Sequence, residues 1–146
     1  MPARIHAWGF CFLSNIAIAV KKLLGSSRAG RVLIVDFDLH FGDGTNNTFR
    51  GEPSVAYYHM GSRVEDLSTY LGGLGDFDIV AVSAGFDRGI ADWGGSLRDS
   101  DYQEMGALLK EFASSHCGGR RFAVLEGGYN HHTLGKTMET FLKAFN

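Results

Sequence analysis

One run of residues limits the fold more than any other. Between its ends, Arg31-Val-Leu-Ile-Val-Asp36 is apolar and largely β-branched, with no polar residue. A strand with one face in water alternates apolar and polar side chains. An unbroken run instead fits a strand covered on both faces, as in a parallel sheet sandwiched by helices. Asp78-Ile-Val-Ala-Val-Ser83 reads the same way, and Val55-Ala-Tyr-Tyr58 and Arg121-Phe-Ala-Val-Leu125 are two further strand candidates. Helical spacing lies between them. Ile16, Ala19, Val20, Leu23 and Leu24 give a helix over 13–25 that Gly25 stops, and 63–73 reads as a second helix. Ser100-Asp-Tyr-Gln103 has the form of a capping box opening a helix whose stripe is Tyr102, Met105, Leu108, Leu109 and Phe112. Leu134, Met138, Phe141, Leu142 and Phe145 give the last helix. Strands alternating with helices predict an α/β fold with a mainly parallel sheet and right-handed crossovers. A length of 146 residues suits one domain, 1–146.

Composition removes several classes of function. Lys and Arg number 14 against 16 Asp and Glu, a net charge of −2, which argues against a nucleic-acid binder held by bulk charge. No apolar run approaches the roughly 20 residues that span a bilayer. Cys11 and Cys117 make no disulfide framework and form no C-x-x-C, so a reducing cytoplasm is the simplest compartment. The stretch from Trp8 to Val20 has a faint look of a secretory signal, but Ser14 and Asn15 interrupt it and Lys21-Lys22 follow, so an amphipathic helix explains the same residues.

In a parallel α/β sheet the site lies beyond the carboxyl ends of the strands. The first run ends in Asp36-Phe-Asp38-Leu-His40-Phe-Gly42-Asp43-Gly44, the third in Ser83-Ala-Gly85-Phe-Asp87, the fourth in Glu126-Gly127-Gly128-Tyr129. Asp38 and His40 are two apart, so on an extended chain their side chains point the same way. With Asp87 from another strand they make a set of two carboxylates and one imidazole. Three such ligands leave a position open for water and suit Zn²⁺; Fe²⁺ or Mn²⁺ would accept the same donors. Taken singly, each residue has a plainer reading: Asp43-Gly44 as a turn, Tyr129 as a packed aromatic.

Asp36-Phe-Asp38-Leu-His40-Phe-Gly42-Asp43-Gly44-Thr45, Ser83-Ala-Gly85-Phe-Asp87 and Leu125-Glu-Gly-Gly-Tyr129 resemble three motifs of the zinc-dependent histone deacetylase family, in the arginase–deacetylase superfamily. Gly9-Phe-Cys-Phe-Leu-Ser-Asn15 resembles a fourth, and Asp92-Trp-Gly-Gly95 with the short Tyr58-to-Asp87 spacing is similar to a compact prokaryotic-type branch. The resemblance implies a three-layer αβα fold whose sheet runs in the order Asp36 strand, Leu125 strand, Ile79 strand, Val55 strand, truncated at the N-terminal side. An unpaired edge on the Asp36 strand would then invite self-association. It implies that Asp38, His40 and Asp87 bind zinc and that Tyr129 donates its hydroxyl to the carbonyl oxygen of the scissile amide. Asp36 and Asp43 would be carboxylates behind the ligands that orient histidines, and Phe10, Gly127 and Gly128 would line a narrow substrate tunnel. A structural K⁺ would sit partly on Asp36 and the carbonyls of Asp38 and His40.

The departures from the family pattern matter as well. Relatives carry a tandem His-His before the Gly-Phe-Cys motif, one of them the general base, and this chain shows no such pair there. His6 is too close to Gly9 to match, and His131-His132 reads as a solvated helix terminus. Phe41 stands where many relatives have a second histidine and is expected to pack. The expected function is a metal-dependent amide hydrolase removing acetyl groups from acetyl-lysine or a small acetylated amine, impaired by loss of that base. The alternative is a non-catalytic zinc- or acyl-ligand-binding pseudoenzyme or gene fragment. A two-metal, arginase-like ureohydrolase would need more acids near the first strand than stand there.

Overall fold

The structure is a computed structural model and describes residues 11–146. Phe10, His6 and the start of the Gly9 motif lie outside the described residues. The chain runs α1 (Asn15–Gly25), β1 (Val32–Asp36), α2 (Asp43–Phe49), β2 (Val55–His59), α3 (Val64–Gly72), β3 (Ile79–Ala84), α4 (Asp99–His116), β4 (Arg121–Leu125) and α5 (Leu134–Phe145). All three strand pairings are parallel, and the order is β2-β1-β3-β4. The α/β, parallel expectation therefore holds.

The expected strand order does not. The Asp36 strand lies inside the sheet between β2 and β3, and the Leu125 strand is at one edge. The reason lies in the sequence of β1, whose five residues are all buried. Leu33 and Val35 join the cluster packed by α3, α4 and α5, while Val32 and Ile34 join the cluster packed by α1 and Phe49 of α2. Such a strand is satisfied only with a neighbour on each side and a helical layer on each face. The edge is β4 instead, whose Ala123 and Leu125 are exposed.

On the larger face Phe37 packs edge-on against Phe86, Tyr102 and Phe141, with centroids 5.4 to 6.0 Å apart. That cluster holds α4 and α5 under the sheet. Gly106 makes the approach of the two helices feasible: a Cβ there would stand 2.7 Å from the carbonyl oxygen of Phe141.

Helix ends also depart from expectation in detail. Ser14 caps α1, its hydroxyl accepting from Ala17 N–H at 3.3 Å. At α4 the cap is not Ser100. Asp101 accepts from the backbone N–H of Arg98 at 2.7 Å, so the cap is Arg98 and the helix opens two residues earlier, at Asp99. α2 has no counterpart in the sequence reading, where Asp43-Gly44 is a turn signal; it is a seven-residue helix with Asp43 in its first turn, favoured there by the helix dipole. Among the described residues no helix is long and apolar enough to cross a membrane.

Candidate metal centre

Parallel register sets the strand ends level. Asp36 stands opposite His59 on one side and Ser83 on the other, and Ala84 opposite Leu125. The segments leaving β1, β3 and β4 therefore enter the same space. Two backbone bonds tie them together: Phe37 N–H donates to the carbonyl of Ser83 at 3.1 Å and Phe86 N–H to the carbonyl of Gly127 at 2.6 Å.

Asp38, His40 and Asp87 meet there. Each offers one ligand atom, and those atoms all lie within 4.8 Å of one another. The Nδ1 of His40 is 3.2 Å from Oδ2 of Asp87 and 3.4 Å from Oδ1 of Asp38. The convergence does not come from strand alternation, because β1 stops at Asp36. His40 N–H donates to Asp38 Oδ1 at 2.8 Å, so the chain turns back on the Asp38 carboxylate, and that local turn presents both side chains to one point.

The two carboxylates are held by backbone donors. Asp38 Oδ2 accepts from Gly127 N–H at 2.9 Å, and Asp87 Oδ1 from Leu39 N–H at 3.0 Å. Asp87 is fully buried, yet its Oδ2 has no hydrogen-bond partner among the described residues. An orphaned carboxylate oxygen in the interior costs free energy unless something positive meets it. Burial, with repulsion from Asp38 adding to it, pushes the Asp87 carboxyl above the usual carboxylate range, against the Leu39 N–H bond and His40. Two carboxylates and an imidazole nitrogen with a spare buried oxygen fit a divalent cation of the Zn²⁺ type, and Fe²⁺ or Mn²⁺ by the same donors.

The glycines are placed to leave room for these carboxylates. A Cβ on Gly127 would stand 2.6 Å from Asp38 Oδ2 and 2.7 Å from Asp87 Oδ2. At Gly128, φ is +148° and a Cβ would meet Leu134 Cδ1 at 2.7 Å. A side chain at either position would thus meet protein atoms already in place.

Tyr129 stands at the mouth of the cluster, 38% exposed. Its ring stacks on Trp93 with centroids 4.0 Å apart, and Trp93 meets His40 edge-on at 6.3 Å. Asp92 fixes the turn beneath it, one carboxylate oxygen accepting from Tyr129 N–H at 2.8 Å and Asn130 N–H at 2.7 Å. Burial, followed by the negative charges of Asp87 and Asp38, raises the Tyr129 hydroxyl, keeping it a proton donor. Asp92 and Trp93 carry no role in the sequence reading. Their signal is only the acid-aromatic-Gly-Gly string, whose contact with Tyr129 is made by folding.

The carboxylates expected behind the ligands divide. Asp36 is buried, accepts from Tyr57 Oη at 2.8 Å and from Asp38 N–H at 3.0 Å, and lies 3.7 Å from His59 Nδ1. Its firm partners are thus a tyrosine and the ligand's own backbone. Asp43 is exposed at the head of α2 and makes no hydrogen bond with a histidine among the described residues. Phe41 is not packed away: it is 46% exposed and lies edge-on to His59 and Tyr57. His131 and His132 are exposed ahead of α5.

Arg88 is the residue the sequence reading missed. It is 7% exposed, and its Nε donates to the carbonyls of Phe37 and Asp38 at 3.1 and 3.0 Å. Its Nη2 donates to the carbonyl of Met60 at 3.0 Å and meets His59 Nε2 at 3.2 Å. A guanidinium only donates, so His59 Nε2 accepts and its ring proton sits on Nδ1, facing Asp36. The Asp38 carbonyl implied as a K⁺ ligand accepts from the Arg88 guanidinium.

A family model described as the histone deacetylase domain matches residues 3–65 and 76–145. The chain belongs to the histone deacetylase family. It is 29% identical to histone deacetylase 14, chloroplastic, of Arabidopsis thaliana over 93% of this chain and 42% of that protein. It is 30% identical to the polyamine deacetylase HDAC10 of Mus musculus over 92% of this chain and 27% of that protein. The crystal structure of the HDA15 HD domain superposes with a TM-score of 0.76 at 26% identity, covering 96% of this chain and 51% of that one. The chain thus spans less than half the length of these curated relatives.

Proposed function

We propose that the chain carries the metal-binding half of an amide hydrolase site that removes acetyl groups from acetyl-lysine or a small acetylated amine. The observation that carries this reading is the convergence of Asp38, His40 and Asp87 with the buried Asp87 Oδ2 left without a protein partner. Membership of the histone deacetylase family supports it, as does the similarity to a histone deacetylase and to a polyamine deacetylase.

Asp38, His40 and Asp87 would hold the ion. A Zn²⁺ there would polarise the amide carbonyl and make water nucleophilic near neutral pH. Tyr129 offers its hydroxyl to the carbonyl oxygen as negative charge grows on it, the kind of donor that acts most strongly where water is excluded. Trp93 and Asp92 keep that ring and its backbone fixed, so little reorganisation is needed as the charge develops. The Leu39 N–H holds Oδ1 of Asp87 and the Gly127 N–H holds Oδ2 of Asp38, which fixes the orientation of both carboxylates.

We assign the base role to no described histidine. His59 is engaged by Arg88 and faces Asp36, and His131 and His132 lie exposed ahead of α5. General-base help is worth about 10²–10⁴-fold, so this chain by itself is expected to turn over slowly. A binding role for the metal-loaded chain is the second reading, and the ligand-atom cluster of Asp38, His40 and Asp87 serves it equally. The deciding experiment is an amidase assay with fluorogenic acetyl-lysine and acetylated polyamine substrates, with added Zn²⁺ and with a chelator. Chelator-sensitive release of acetate supports the hydrolase. Stoichiometric Zn²⁺ with no turnover supports the binding role, and no Zn²⁺ retention ends both.

A further inference from the structure

We propose that the guanidinium of Arg88 is the resident monovalent cation of this centre, fixing the backbone that carries Asp38 and making K⁺ unnecessary. The inference rests on the metal-site reading above for its function, but its geometry stands by itself.

Three carbonyl oxygens converge on one buried point: those of Phe37 and Asp38, just beyond β1, and that of Met60, just beyond β2. Converging carbonyl oxygens make a cation site, because their dipoles point negative ends inward. Here the charge that meets them is covalently attached. Among the described residues Arg88 forms no salt bridge with a carboxylate, so carbonyl dipoles and the nearby acids supply its compensation. A buried charge is tolerated only when paired or hydrogen-bonded in this way.

The backbone of Arg88 is clamped by hydrogen bonds on both sides of its Cα. Its carbonyl accepts from Ser96 N–H at 3.0 Å and Leu97 N–H at 2.9 Å, and Gly94 N–H donates to the carbonyl of Asp87 at 2.7 Å. A Cβ on Gly94 would stand 2.8 Å from Arg88 Cα, so the loop closes tightly over it. The side chain anchors the Phe37–Asp38 backbone, while Asp87, the preceding residue, supplies its carboxylate to the same cluster as Asp38. Arg88 is a positioning residue: it acts on the ion through Asp38.

A K⁺ ion sharing the Asp38 carbonyl would sit beside a fixed positive charge, and that repulsion is unscreened by water at this depth. The guanidinium also holds His59 through Nε2, which directs the His59 ring proton toward Asp36.

The test compares thermal midpoint and Zn²⁺ affinity of the whole chain in KCl, NaCl and choline chloride at equal ionic strength. The midpoint is measured first without Zn²⁺. Wild type is expected to show the same midpoint and the same Zn²⁺ affinity in all three salts. Arg88→Ala frees the three carbonyls. It is expected to weaken Zn²⁺ binding by about 10–100-fold and to gain a midpoint that rises in KCl over choline chloride. Arg88→Lys, which keeps a charge but not the fork, is expected to fall between. A wild-type midpoint or Zn²⁺ affinity that rises specifically with K⁺ overturns the proposal. So does an Arg88→Ala protein whose Zn²⁺ affinity equals that of wild type. Should Arg88→Ala fail to fold, the wild-type salt series and Arg88→Lys decide alone. Loss of Zn²⁺ binding by wild type itself would count against the metal-site reading and leave the Zn²⁺-free salt series to judge Arg88.

Discussion

The backbone N–H of Gly127 donates to Oδ2 of Asp38 at 2.9 Å, joining the end of β4 to the end of β1 across the strand between them. The bond forms because glycine leaves room for two carboxylates. Gly127→Ala is expected to push Asp38 and Asp87 apart, since the new methyl would stand 2.6 to 2.7 Å from their oxygens. Overpacking of this kind costs about 1–3 kcal/mol. Denaturant unfolding and Zn²⁺ titration check it; a variant with unchanged Zn²⁺ affinity would show that the contact does not shape the cluster.

Asp87→Ala removes the buried oxygen that has no protein partner. The expected outcome is loss of stoichiometric Zn²⁺ by elemental analysis, with the metal-free protein no less stable, because an uncompensated buried acid is removed with it. Unchanged Zn²⁺ content would take Asp87 out of the ligand set.

Glu126 gives the pH prediction. Burial first, then the charges of Asp36 and Asp38, lift its carboxyl from the ordinary 4.5 to about 7, against the Ser83 hydroxyl bond. A carboxyl raised in the folded state binds more protons there than in the unfolded chain. Its contribution is fully present below about pH 4.5 and is lost as pH rises through about 7. Metal-free protein should therefore lose on the order of 1–3 kcal/mol between those limits from this group. Glu126→Gln should flatten that part of the curve. Chemical denaturation at a series of pH values measures it, and parallel curves for the two proteins would refute the assignment.

Tyr129→Phe keeps the ring on Trp93 and removes only the hydroxyl. Zn²⁺ content is expected to stay the same, while any amide hydrolysis falls by about 3 kcal/mol in barrier, as for a lost oxyanion donor. Equal rates would exclude the hydroxyl from the reaction.

Asp92→Ala attacks the same tyrosine from its backbone. Burial raises the Asp92 carboxyl, but the N–H groups of Asn130, Trp93 and Tyr129, together with His131, outweigh it and hold the carboxyl below its usual range. Their loss should cost about 1–3 kcal/mol of stability and lower kcat while leaving Zn²⁺ bound. An unaltered kcat would mean Asp92 only closes a turn.

The local chemistry of this chain was legible without coordinates. Unbroken apolar runs gave four strands, helical spacing gave four of the five helices, and acids and a histidine at run ends gave the ligand candidates Asp38, His40 and Asp87. These follow from periodicity and from where a parallel sheet exposes its strand ends, both of which are local rules. Strand order is not local. That β1 lies between β2 and β3 depends on which helices cover which face, a balance of packing among residues far apart in the chain. The room left by Gly127 and the hold of Arg88 on the Asp38 carbonyl are likewise decided by contacts 89 and 50 residues apart. Residue types can nominate ligands by themselves, but only the packed chain brings a cation, a carbonyl and a glycine to the same point, because each must exclude water from the others.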